Sequence, residues 1–137
     1  MTITLQLDHV SLFVADRDAS ARFYGEVLGL PEVENKTGRP HIRWFGLGAG
    51  RSIHLISGAP EDEMKRPRST HFALSTSEFE PTLKRLRDAG VRYEALSGVA
   101  HDVSVRFDGV RQVYFQDPDG HWFEVNDAKG TFDDLHH

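Results

Sequence analysis

Apolar and polar residues alternate with a period of two over Asp8-His9-Val10-Ser11-Leu12-Phe13-Val14, which sets Val10, Leu12 and Val14 on one face of an extended segment and His9, Ser11 and Phe13 on the other. This predicts a strand. Asp16 or Asp18 then caps a helix carrying Ala19, Phe23, Val27 and Leu28 at helical spacing, and Gly29 stands where a helix end favours a left-handed residue. Two strands are expected next, His41 to Leu47 and Ser52 to Ser57, joined by the turn Gly48-Ala49-Gly50. The second half repeats the order. A strand from Thr70 to Ser75 precedes a helix that Ser77 would cap, with Glu80 three residues on, Phe79, Leu83 and Leu86 inside, and Gly90 at its end. Strands follow at Arg92 to Leu96, Arg111 to Gln116 and His121 to Asn126, the last two joined by Asp117-Pro118-Asp119-Gly120.

Sliding the chain on itself makes the repeat specific. His9 falls on His71 and Leu12 on Leu74 at one offset, while Phe45 falls on Phe115, Gly50 on Gly120, Ile53 on Phe123 and Leu55 on Val125 at another. The second alignment puts His54 on Glu124. Caps, turn glycines and strand order agree, so the chain reads as an α+β domain of two similar modules. The modules span about 5–57 and 70–127, with a linker at 58–69 and a tail at 128–137. At about 60 residues each, neither buries a good core alone.

Composition narrows the chemistry. The 137 residues carry 16 Lys and Arg against 21 Asp and Glu, a net charge of −5, with the basic residues scattered. Nucleic acid is therefore not expected as a partner. The cluster Lys65-Arg66-Pro67-Arg68 follows Glu61-Asp62-Glu63 and reads as a solvated loop. No apolar run is long enough to span a bilayer and the N-terminal residues do not form a secretory signal, so no membrane partner is expected and the protein is read as cytoplasmic. With no Cys, any metal must be held by nitrogen and oxygen ligands.

Eight His stand out in a chain this short. His9, His71, His54 and Glu124 occupy corresponding strand positions, each on the face opposite apolar neighbours such as Ile53 and Leu55, Phe72 and Leu74, or Phe123 and Val125. Three imidazoles and a carboxylate suit one divalent ion, with Zn, Ni, Co, Mn and Fe all compatible, and leave positions for water or substrate. His41, His101 and His121 do not share that placement, although His101 is a candidate for the rim of a pocket. Arg43, Arg111 and Tyr114 are candidates for orienting a substrate, and Trp122 is a further substrate-side candidate; Trp44, Phe45 and Trp122 read as walls of a cavity or interface. No phosphate-binding glycine loop and no nucleophile elbow is present.

The motifs Leu7-Asp8-His9-Val10, Phe23-Tyr24, Leu28-Gly29-Leu30, His71-Phe72-Ala73-Leu74, Val113-Tyr114-Phe115, Asp117-Pro118-Asp119-Gly120 and Glu124 resemble those of the vicinal oxygen chelate superfamily. That superfamily includes glyoxalase I, extradiol dioxygenases, fosfomycin-resistance transferases and bleomycin-resistance binding proteins. The resemblance implies paired βαβββ modules forming an incomplete curved-sheet barrel around a divalent metal, commonly in a homodimer. It implies metal ligands at His9, His54, His71 and Glu124. His54 departs from the Glu found there in many bacterial glyoxalases, and members with three ligands would use His9, His71 and Glu124 alone. The first expectation is a lactoylglutathione-lyase-like lyase or isomerase acting on a small substrate with vicinal oxygens through an enediolate, with Glu124 as base. The second is an Fe(II) extradiol-type dioxygenase, and a third, of another class, is a binding protein without turnover.

Overall fold

The computed structural model describes residues 1–58 and 66–129. The chain forms two compact units, Met1–Glu63 and Met64–His137. In the first, β1 (His9–Phe13) is followed by helix α1 (Arg17–Arg22), a π-helical turn (Phe23–Val27), β2 (Glu32–Val33), β3 (Ile42–Gly48) and β4 (Arg51–Ile56). The sheet order is β1-β4-β3-β2, with β1 parallel to β4 and the other pairs antiparallel. In the second, β5 (Phe72–Ser75) is followed by α2 (Phe79–Asp88), β6 (Tyr93–Glu94), β7 (Ser104–Val105), β8 (Arg111–Gln116) and β9 (Trp122–Asn126). Its order, β5-β9-β8-β6, with β7 also on β8, repeats that of the first unit.

Register confirms the repeat residue by residue. Val10 pairs with Ile53 and Phe72 with Phe123, while Trp44 faces His54 across β3 and β4 as Tyr114 faces Glu124 across β8 and β9. Alternation then divides each sheet. Leu12, Val14, Phe45, Ile53 and Leu55 are buried in the first unit with Ala21, Phe23 and Tyr24 of its helical segment; Val113, Phe115, Phe123 and Val125 are buried in the second, as are Phe79, Leu83 and Leu86 of α2. The opposite faces carry His9, Ser52 and His54 in one unit and Glu124, Asn126 and Tyr114 in the other.

Asp16 caps α1, its carboxylate accepting from the backbone N–H groups of Asp18 and Ala19 at 3.0 Å each. Gly29 and Gly90 follow the two helical segments at φ of 73° and 70°, a region open to glycine at little cost. The expected Ser77 cap is corrected: α2 starts after Glu78, whose backbone N–H donates to the Thr76 hydroxyl at 2.9 Å, and Glu80 pairs with Arg111 at 2.8 Å instead of turning back to the cap. The strand expected from Arg92 to Leu96 shrinks to Tyr93–Glu94 because a turn closed by Ala95 N–H on the Val99 carbonyl at 3.1 Å draws the chain off the sheet. β2 and β7, two residues each, are too short for a period-two pattern to reveal. Most of the expected linker (59–65) and tail (130–137) lies outside the described residues. Among the described residues, no helix is long and apolar enough to cross a membrane.

Candidate functional site

β1 begins with His9, and His71 immediately precedes β5. In the first unit His9 Nδ1 lies 2.7 Å from Asp8 Oδ2. A carboxylate only accepts, so Nδ1 carries the proton and Nε2 keeps its lone pair unless the ring is charged. In the second unit His71 Nδ1 donates to the Arg68 carbonyl at 2.8 Å, with the same consequence for its Nε2. An oxygen acceptor on one ring nitrogen is the arrangement that orients metal-ligating histidines.

His71 Nε2 stands 3.4 Å from Glu124 Oε1. A neutral imidazole lone pair facing a carboxylate oxygen is repulsive, so this pair calls for a cation, either a proton or a metal ion. Bonds of about 2.0–2.2 Å from nitrogen and oxygen would let both atoms share one metal at that separation. Glu124 is buried, and its Oε2 accepts from the Asn126 side-chain amide at 2.6 Å. The Tyr114 hydroxyl also donates to Glu124; burial first, then the Glu124 charge and this hydrogen bond, hold its pKa above the ordinary phenol range. Tyr114 is itself wedged, with the His71 ring edge-on at 5.3 Å and the Arg68 guanidinium 4.9 Å over its face. Arg68 in turn pairs with Glu94 at 2.5 Å and donates to the Leu96 carbonyl at 2.6 Å.

The first unit fills the equivalent positions differently. His54 is buried, and its ring stacks on His9 at 4.1 Å and 11° and on Trp44 at 3.9 Å and 5°. Its Nε2 shares a hydrogen bond with the Ser52 hydroxyl at 2.8 Å. Burial, then the neighbouring His9, holds its pKa below the ordinary histidine value. Trp44 Nε1 is a buried donor with no partner among the described residues. Among those residues, no three His, Asp or Glu side chains gather around a point where a metal could sit.

The remaining candidates are dispersed. Arg43 lies on the helix-side face of β3, held by both oxygens of Glu32 at 2.9 and 2.6 Å, and lines a cleft of about 410 Å³ with Asp18, Arg22 and Glu26. Arg111 clamps Asp127 and Glu80 at 2.8 Å each and lies 4.6 Å over the Phe79 ring. His101 is exposed at φ 59° and meets the Tyr93 ring at 4.9 Å. Trp122 donates its indole N–H to the Arg66 carbonyl at 2.9 Å. Arg68 and Asn126 were missed: Arg68 sits in a cluster that composition marks as solvated, and Asn126 was legible only as sharing the Glu124 face two residues on.

A family model described as the Glyoxalase/Bleomycin resistance protein/Dioxygenase superfamily matches residues 6–125. The chain belongs to that superfamily. Its curated relatives include Glyoxylase I 4 of Arabidopsis thaliana, 31% identical over 131 residues and covering 87% of this chain and 68% of the plant protein. Another is the metallothiol transferase FosB of Staphylococcus saprophyticus, 30% identical over 134 residues, covering 93% of this chain and 79% of that protein. Among solved structures, the oxidase ChaP-H2 is similar with a TM-score of 0.74 and 27% identity over 94% of this chain and 98% of that one. Superfamily members are mostly metal-dependent enzymes.

Proposed function

We propose that the chain is a divalent-metal oxidase or dioxygenase of a small substrate with vicinal oxygens, its protein ligands being His9, His71 and Glu124. The observation that carries this reading is the stacking of His54. An imidazole lone pair lies in the ring plane, so two rings 4.1 Å apart and 11° from parallel do not aim their nitrogens at one ion. Two histidines and a carboxylate remain, the donor set that suits Fe(II) oxygen chemistry.

The bound ion would supply Lewis acidity toward the substrate oxygens and a redox centre for dioxygen. The chain's own groups keep that set fixed. Asn126 and Tyr114 hold the Glu124 carboxylate, which suits a stationary ligand better than a mobile base. Tyr114, with its raised pKa, keeps its proton at neutral pH and remains a donor.

A second reading, isomerisation of an α-hydroxycarbonyl or hemithioacetal through an enediolate with Glu124 as base, is supported by the likeness to Glyoxylase I 4. Loading the protein with Fe(II) without oxygen, then following dioxygen uptake with a panel of catechols, separates the two. Uptake in step with substrate loss, reduced by at least about 100-fold in Glu124→Gln, is expected. Turnover of the methylglyoxal–glutathione adduct without dioxygen uptake would establish the second reading instead, and ligand binding by a protein that takes up no metal would make it a binding protein.

We also infer a homodimer, supported by Ile3, Leu5 and Leu7 of one unit and Val105 and Phe107 of the other, all exposed in the single chain. Light scattering should give twice the chain mass.

A further inference from the structure

In the first unit three rings form a column, Trp44 on His54 on His9, with successive centroids 3.9 and 4.1 Å apart and planes within 5° and 11°. The register builds it. Trp44 and His54 are cross-strand partners on β3 and β4, and His9 pairs with Ser52, two residues before His54 on the same face. Each layer has a different degree of freedom. Trp44 is partly buried, His54 is buried with its in-plane rotation held by Ser52, and His9 has a side chain 42% exposed. The Asp8 carboxylate that holds His9 Nδ1 is itself 81% exposed, so it fixes the proton on the ring better than it fixes the ring's tilt. The tilt is fixed by the flat face of His54.

We propose that His54 and Trp44 are positioning residues: a two-layer aromatic plate that sets the plane of His9 and so the direction in which His9 Nε2 meets the metal. This rests on His9 being a ligand. It assigns His54 the role of a surface, not of a donor, and it explains why the plate ends in an indole. Trp44 keeps a buried N–H with no partner among the described residues, where a Phe would leave no donor unpaired. What the indole adds is a broader face against His54.

The equivalent positions of the second unit show the contrast. There Tyr114 holds Glu124 by a hydrogen bond, and Glu124 Oε1 lies 3.4 Å from His71 Nε2. In the first unit the corresponding three side chains meet one another by stacking, and their hydrogen bonds, from His54 to Ser52 and from His9 to Asp8, go to residues outside the column.

The test uses Co(II) added to the full-length metal-free protein, followed by calorimetry and by the visible absorption of the bound ion. His54→Phe keeps a flat ring but has no ligand atom, whereas His54→Leu removes the ring. The expected result is wild-type Co(II) affinity and an unchanged absorption spectrum for His54→Phe, with affinity about tenfold weaker for His54→Leu. Equal, large losses in both, with a changed spectrum in His54→Phe, would make His54 a ligand and overturn the proposal. Wild-type affinity in both would overturn it as well. Trp44→Phe supplies a check independent of folding defects at position 54: its melting temperature should equal or exceed that of the wild type while Co(II) binds a few-fold more weakly, and unchanged affinity counts against the plate. His9→Ala separates the underlying reading. If wild type and His9→Ala bind Co(II) alike, His9 is no ligand and the proposed function fails with the plate.

Discussion

His54 carries an imidazole that burial, together with His9, holds below the ordinary histidine pKa, and this has a measurable sign. Below a pH of about 6.5 the unfolded chain takes up a proton at this residue that the folded chain takes up only at lower pH. The stability that neutral His54 contributes is therefore present above that value and lost as pH falls toward the folded pKa. In metal-free protein the urea midpoint should drop between pH 7 and 5 more steeply for wild type than for His54→Phe. Tyr114 offers a second single-residue test. Its hydroxyl donates to the buried Glu124, so Tyr114→Phe should cost about 1–2 kcal/mol by denaturant titration, because a buried charged acceptor loses one donor.

At the level of elements, the two helices differ in how they begin, and substitution should reveal it. Asp16→Ala removes a carboxylate that accepts from two backbone N–H groups and should lower stability by about 1 kcal/mol. Ser77→Ala should stay within about 0.5 kcal/mol, since no side-chain hydrogen bond caps α2. The sequence pattern Ser77-x-x-Glu80 suggested the opposite, and it failed because Arg111, distant in sequence, binds Glu80. Strands with two-sided burial were legible for the converse reason. Arg111–Gln116 announces itself because Val113 and Phe115 must face a core that Gln112 and Tyr114 do not. The same alternation set His9, His54, His71 and Glu124 opposite their apolar neighbours, and the offset that lays His54 on Glu124 reappears in the register, where Trp44 pairs with His54 as Tyr114 pairs with Glu124. Ring stacking was not legible, because alternation specifies a face and says nothing of the angle a ring adopts upon it. Arg68 was hidden for a related reason: charge counting assigns a guanidinium to solvent, whereas here it lies over the Tyr114 ring.

For the molecule as a whole, metal binding and folding should be linked. An ion present at about 100 times its dissociation constant adds about 2.7 kcal/mol to the stability of the state that binds it. Thermal unfolding of the wild type should therefore shift upward with Co(II) or Fe(II) and return with a chelator. His9→Ala should abolish the shift, and so should His71→Ala, although each leaves the other unit's pair of side chains untouched. Retention of the full shift in either variant would count against the three-ligand set.

Equivalent positions in the two units hold Trp44 and Tyr114, and His54 and Glu124. Were a single unit assembled symmetrically with a copy of itself, any change at one such position would appear at both, and a carboxylate could not be kept on one side while an imidazole was tried on the other. Joining the units in one chain removes that constraint. One half is free to conserve a carboxylate while the other diverges, so genetic drift in this protein can explore new ligand supports one position at a time.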